Sequence, residues 1–109
     1  MRSLRDKNRR PTHPGAVLRE DVLPALNMTQ TELAGLLGVS RLSVSELLHE
    51  KRALSPDMAV RIATLLNTSA ESWLRMQEAV ELWVVRQHPA KMAAVKPLAR
   101  DRLALNFSS

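Results

Sequence analysis

The sequence predicts an all-α fold, and three observations predict it. Apolar residues recur at helical spacing through the middle of the 109-residue chain, and no stretch alternates apolar with polar residues for long. Only three glycines interrupt it, and a recognisable start signal precedes each apolar stripe. Caps and prolines divide the chain into five helices.

The first helix is expected to begin near Pro14, because proline fills a first turn without losing a needed N–H. Leu18, Val22 and Leu26 lie on one side of it, and Pro24 is expected to end or bend it. Asn27 and Met28 form a short link. Thr29-Gln30-Thr31-Glu32 reads as a capping box, and Met28 with Leu33 stand where a hydrophobic staple places them. This second helix runs through Ala34 and Leu37 to Gly38, which takes the left-handed conformation of a helix end. Ser40 caps the third helix, stapled by Val39 and Val44. Ser55-Pro56-Asp57 opens the fourth with an N-cap, a proline and an acid suited to the helix dipole. Ala59, Ile62, Ala63 and Leu66 form its apolar stripe. Thr68 and Glu71 read as a second capping box, opening a fifth helix that runs to about Gln87.

The expected organisation is a basic arm over residues 1–12, one helical domain over 13–88 and a tail over 89–109. The tail scatters Met92, Val95, Leu98, Leu103, Leu105 and Phe107 among basic residues, which suits a short helix or ordering on a partner. Charge breaks every long apolar run, so no membrane span is expected, and the polar, basic start is no secretory leader. The absence of cysteine removes disulfides, thiolate metal sites and a cysteine nucleophile, and a cytoplasmic location fits these features. Sixteen Lys and Arg against eleven Asp and Glu leave a net charge of +5, a balance that favours polyanions.

The strongest pattern runs from Gln30 to His49. Two short helices that cross closely need a small residue at the contact, supplied by Ala34, and a turn residue tolerant of positive φ, supplied by Gly38. Val44 and Leu47 then bury against Leu33, Leu37 and Val39. This is a helix-turn-helix, whose second helix enters the DNA major groove. On that helix Ser40, Val44, Leu47 and Leu48 face inward, while Leu42, Ser45, Glu46 and His49 face outward, with Arg41 and Ser43 at the margins. The candidate DNA contacts are Gln30, Ser40, Arg41, Leu42, Ser43, Ser45, Glu46, His49, Lys51 and Arg52. Arg41 is suited to guanine O6 and N7, Leu42 to a thymine methyl, and Ser45 to a base or a phosphate. Glu46 can accept from a cytosine amine or orient Arg41; Gln30, Lys51 and Arg52 are placed for phosphates. Ser43 can equally serve only in the first turn.

The fifth helix is apolar on more than one face. Trp73, Met76, Val80, Trp83 and Val84 make a core stripe, whereas Leu74, Leu82 and Val85 fall outside it. Trp73, Leu74, Val80, Leu82, Trp83, Val84 and Val85 are therefore candidate homodimer contacts; a tail folded back over the helix is the alternative. A two-fold dimer would set two recognition helices about 34–36 Å apart and read a palindromic double-stranded operator. Catalysis is not expected. His13 reads as a helix-start residue, His49 as groove-facing or solvated and His88 as a helix-end cation, and no acid, base and nucleophile assemble. No metal-ligand spacing or glycine-rich phosphate loop occurs, so no cofactor is expected.

His13-Pro14-Gly15, Leu18-Arg19-Glu20, the helix-turn-helix, Lys51-Arg52-Ala53-Leu54-Ser55-Pro56-Asp57-Met58-Ala59 and Ser72-Trp73-Leu74-Arg75-Met76-Gln77 together resemble the HigA family of addiction-module antitoxins. That family lies within the lambda-repressor-like, XRE-type helix-turn-helix proteins, and the resemblance spans roughly residues 11 to 87. It implies a five-helix lambda-repressor-like domain. It also implies a dimeric repressor of its own operon that neutralises a partner toxin similar to RelE-type ribosome-dependent ribonucleases. A stand-alone XRE-type repressor without a toxin is the alternative. The arm and the tail lie outside the resemblance.

Overall fold

The computed structural model describes residues 9–102, and every regular element among them is helical. A first helical run comprises α1 (Pro14–Val17), a π-helical turn (Leu18–Val22) and α2 (Leu23–Leu26). It is followed by α3 (Gln30–Leu37), α4 (Arg41–Leu48), α5 (Pro56–Leu66) and α6 (Ala70–Arg86). The tail adds α7 (Pro89–Met92) and a 3-10 turn (Arg100–Arg102).

His13 caps the first run: its ring Nδ1 accepts the Gly15 N–H at 2.9 Å. Pro24 does not end it. In α geometry the missing N–H of Pro24 would leave the Glu20 carbonyl without a partner. The turn ahead is instead widened to π geometry, with the Leu23 N–H reaching five residues back to the Leu18 carbonyl. The run continues to Leu26 and closes at Asn27, left-handed at φ 50.

The next two helices start and stop as their residues predict. Thr29 Oγ1 accepts the Glu32 N–H at 3.1 Å while Glu32 Oε1 accepts the Thr29 N–H at 3.2 Å, a complete capping box. Gly38 ends α3 at φ 71, and the Val39 N–H returns to the Ala34 carbonyl at 3.1 Å. Ser40 Oγ accepts the Ser43 N–H at 3.0 Å to start α4, and Ser55 Oγ accepts the Met58 N–H at 3.2 Å to start α5.

The start of α6 departs from expectation by one residue. Ser69, not Thr68, is the N-cap, and its Oγ accepts the Ser72 N–H at 3.0 Å. Asn67 ends α5 in the left-handed region, which brings the Thr68 N–H to the Ala63 carbonyl at 2.9 Å. The Thr68 hydroxyl is then turned to accept the indole N–H of Trp73 at 2.8 Å.

Leu18, Leu33, Val44, Leu47, Leu48 and Ile62 are the fully sealed centre of the core, ringed by Leu37, Leu54, Met58, Ala59 and Trp73. Each such aliphatic side chain contributes roughly 1.5–3 kcal/mol by burial, against about 0–1 for each exposed ion pair, so packing holds the fold. Gly15 is buried where α1 crosses α4, and a methyl group there would overlap the Leu47 carbonyl. Backbone-to-backbone seating of this kind fixes α4 against the first run. Gln77, buried on α6, accepts the Leu54 N–H at 2.8 Å and ties down the segment after α4.

Candidate nucleic-acid interface

The unit formed by α3, the Gly38 turn and α4 has a sealed side and an open side. Leu33, Ala34 and Leu37 on α3 meet Val44, Leu47 and Leu48 on α4 in the core. The small side chain of Ala34 and the left-handed glycine allow that meeting, as the spacing predicts. Outward stand Arg41, Leu42 and His49, all exposed, with Ser43, Ser45 and Glu46 half-buried along the same helix. Leu42 is 67% exposed, which leaves its side chain free to meet an apolar group of a ligand.

The predicted contacts divide into those left open and those already engaged. Arg41 has no ion-pair partner among the described residues, and Lys51 is exposed just beyond α4. Gln30 is half-buried in the first turn of α3. Ser40, placed inward by the sequence pattern, is exposed because it caps the helix from outside it. Its hydroxyl also donates to Ser43 Oγ at 2.8 Å, so the first-turn role of Ser43 is realised. His49 is held over its own helix end, its Nδ1 2.8 Å from the Ser45 carbonyl oxygen. Glu46 does not orient Arg41. It pairs with Arg52 at 2.8 Å, six residues on, because the chain turns back after α4 and brings that guanidinium beside the helix.

Three ionic residues that hold this unit are not singled out by the sequence pattern. Arg61 on α5 donates from Nη1 to the Leu37 carbonyl at 2.8 Å and from Nε to Asp57 at 2.8 Å, bracing the last turn of α3. Arg19 donates to the Leu48 carbonyl, the corresponding brace on the end of α4. Glu50, left-handed at φ 60, receives Arg10 at 3.0 Å and Arg19 at 3.4 Å. The bond from Arg10, foremost, holds the Glu50 carboxyl below its ordinary value. Burial pushes the nearby His13 below its ordinary value, keeping the ring neutral so that Nδ1 can accept. The spacing Asp57 to Arg61 is the one local signal that could have marked Arg61.

On α6, Trp73 and Val80 are buried within the chain, as the core stripe predicts, which leaves them little surface for the dimer contact also expected of them; Val84, expected on the same stripe, is instead exposed. Leu82, Val84 and Val85 are exposed at 42, 44 and 46%, and Leu74 and Trp83 are half-buried. Leu74, Leu82 and Val85 join Leu54 and Pro56 around a groove of about 500 Å³ whose rim carries Glu78 and Glu81. The indole N–H of Trp83 is enclosed and has no acceptor among the described residues. The described tail residues 89–102 are exposed throughout and do not fold back over α6; Leu103, Leu105, Phe107 and most of the arm lie outside the described residues. Among the described residues no three acidic or histidine side chains gather as a metal site, and no helix is long and apolar enough to cross a membrane.

A left-handed glycine joining two core-packed short helices, the second with a polar open face, defines a helix-turn-helix protein. The helix-turn-helix family profile matches residues 18–73. Antitoxin HigA-1 of Vibrio cholerae serotype O1 is 37% identical over 98 residues, covering 87% of this chain and 90% of that protein. Among solved structures, antitoxin GraA in complex with its operator shares 34% identity with a TM-score of 0.77, over 89% of this chain and 99% of that one. Pseudomonas aeruginosa antitoxin HigA with the higBA promoter shares 32% identity, also at a TM-score of 0.77, over 83% and 100%. The chain belongs to the HigA family of helix-turn-helix antitoxins, which are regulators and not enzymes.

Proposed function

We propose that this protein binds the operator of its own operon as a homodimer, represses it and neutralises a RelE-like toxin. The observation that carries the reading is the open face of α4, with Arg41 lacking an ion-pair partner among the described residues and Leu42 solvent-exposed, on a helix capped by Ser40 at its start and held by Arg19 at its end. Its likeness to antitoxins solved with operator and promoter DNA supports the same use here. Arg41, Leu42 and Ser45 read bases in the major groove, while Gln30 and Lys51 hold phosphates. His49 and the Glu46–Arg52 pair flank this patch, and Ser40 and Ser43 keep its first turn wound.

The dimer forms through the exposed apolar end of α6, with Leu74, Leu82, Trp83, Val84 and Val85 as its contacts. Exposed aliphatics along two flanks of one helix, beside an enclosed Trp83 N–H, support a second copy there. The two α4 helices then meet a palindrome with half-sites one DNA turn apart.

Two experiments test the reading. Protection of the promoter region should appear as two half-sites 10–11 base pairs apart, roughly one helical turn; protection of a single short site contradicts the dimer. A RelE-like protein should be encoded beside this chain, and coexpression of the two should relieve the growth arrest that the RelE-like protein causes alone. Arrest that persists although both proteins accumulate removes the toxin from the reading and leaves a repressor.

A further inference from the structure

The described part of the tail carries apolar side chains that its own domain does not bury. Met92, Val95 and Leu98 are 49, 73 and 57% exposed, and none of them joins the core cluster. Spaced three apart, they fall on one side of an extended segment with three residues per turn, a course that Pro97 favours at Lys96. Within residues 89–102, Lys91, Lys96, Arg100 and Arg102 stand against the single acid Asp101.

The groove on α6 is the complement of this segment. Leu54, Leu74, Leu82 and Val85 give it an apolar lining. Its charged lining residues, Glu78 and Glu81, are both exposed and have no ion-pair partner among the described residues. From Leu74 to Val85 it follows α6 for about 16 Å, at the helical rise per residue. Met92 to Leu98 in an extended course spans about 19 Å, so the three apolar side chains match the groove in length.

The tail of the same chain does not fill it. The Gln87 N–H returns to the Trp83 carbonyl at 3.1 Å and the His88 N–H to the Val85 carbonyl at 3.1 Å. The helical course therefore continues past the Val85 end of the groove before Pro89 starts α7, and none of residues 89–102 lines the groove. In a two-fold dimer through the C-terminal half of α6, each tail leaves its own helix beside that same end of the partner's groove.

We propose that in the dimer the segment Met92–Leu98 of each chain lies in the α6 groove of the other, with Lys91 and Lys96 facing Glu78 and Glu81. The proposal rests on the homodimer reading above and names what completes that interface. Trp83 and Val84, which do not line the groove, remain for contact between the two α6 helices. Opposite charge on groove and tail sets the register of the exchange.

The test is site-directed cross-linking, which the absence of cysteine from the chain makes specific. Full-length chains bearing Leu82→Cys and Val95→Cys, one of them tagged so that covalent products separate by mass, are coexpressed and treated with a short bismaleimide. The expected product is the mixed Leu82→Cys/Val95→Cys dimer, whereas Leu36→Cys, at an exposed position of α3, should give none with Val95→Cys. Glu78→Lys/Glu81→Lys on the groove chain should lower the mixed product several-fold, because attractive exposed pairs become repulsive ones. Lys91→Glu/Lys96→Glu on the tail chain should then restore it, a recovery that misfolding of either variant cannot produce. Sedimentation of the same proteins separates the failures. A dimer that yields no mixed product overturns the tail exchange and leaves the homodimer standing. A Leu82→Cys/Val95→Cys double variant that closes into a monomer-sized product puts the tail in its own groove and also overturns it. So does a dimer whose Leu82→Cys thiol reacts with a monofunctional maleimide as fast as Leu36→Cys, since that groove is open and left to the toxin. A monomeric parent removes the homodimer reading, and the exchange with it.

Discussion

Replacing Gly15 by alanine should destabilise this protein, although the same change usually stabilises a helix. The methyl group would overlap the Leu47 carbonyl oxygen and stand 2.8 Å from its carbon, where nonbonded carbons prefer about 3.5–4.0 Å. The α1 backbone must therefore retreat from α4 by about 1 Å, loosening the sealed contacts of Pro14, Leu18, Val44 and Leu47. Overpacking of this kind costs about 1–3 kcal/mol, offset by roughly 0.5–1 from the lower chain entropy of alanine. A net loss of about 1–2 kcal/mol corresponds to a melting temperature lowered by roughly 5–15 °C for a domain of this size. Gly35 is the internal control. It lies on the exposed side of α3 with open space around a built methyl, so Gly35→Ala should gain up to about 1 kcal/mol. Urea titration of both variants reads the two signs side by side. A Gly15→Ala protein as stable as Gly35→Ala would refute the backbone seating of α1 on α4.

Other perturbations follow from the same contacts. Arg61→Ala should lower stability by about 1 kcal/mol through the lost brace on Leu37, with Arg61→Lys recovering only part of it; equal urea midpoints for all three proteins would remove the brace. Burial lowers the His13 value, so the fold disfavours the charged ring. The corresponding stability is complete above about pH 6.5, the unfolded value, and is lost as pH falls through the depressed folded one. Protonation of Nδ1 also ends its acceptance of the Gly15 N–H, a cap worth roughly 0.5–2 kcal/mol. His13→Asn keeps an acceptor that does not titrate, so its melting temperature should change less than the parent's between pH 7.5 and 5.5; parallel profiles would contradict the assignment. Val85→Glu, on the exposed flank of α6, should yield monomers in sedimentation equilibrium, and an intact dimer would place the interface elsewhere.

The order of the helices was legible because it is written in local chemistry. Thr29 with Glu32, Ser40, and Ser55 with Pro56 are signals that act within one turn, and tertiary context had no reason to override them. Gly38 was legible because few other residues tolerate its φ of 71. The misreadings arise where a distant partner decides between equal local choices. Thr68 and Ser69 are both good caps, and only the Trp73 indole makes Thr68 the acceptor and Ser69 the cap. Pro24 carries no mark that a π turn ahead of it will absorb the missing N–H. In the candidate interface the outward face of α4 followed from periodicity alone. The ion pairs Glu46–Arg52 and Arg10–Glu50 did not, since each depends on how the chain returns past the end of α4. Spacing placed Trp73 and Val80 on the core stripe of α6, and both are buried, but it placed Val84 there too, which lies exposed towards the end of the helix.

Binding of the parent, Arg41→Ala and Lys51→Ala proteins to the promoter duplex and to its scrambled counterpart, at one moderate salt concentration, bears most directly on α4 as the reading helix. Arg41→Ala should weaken promoter binding by about 1–3 kcal/mol while changing scrambled binding far less, and Lys51→Ala should weaken both duplexes alike. Arg41→Ala with the parent's affinity and selectivity for the promoter would contradict the placement of α4 in the major groove.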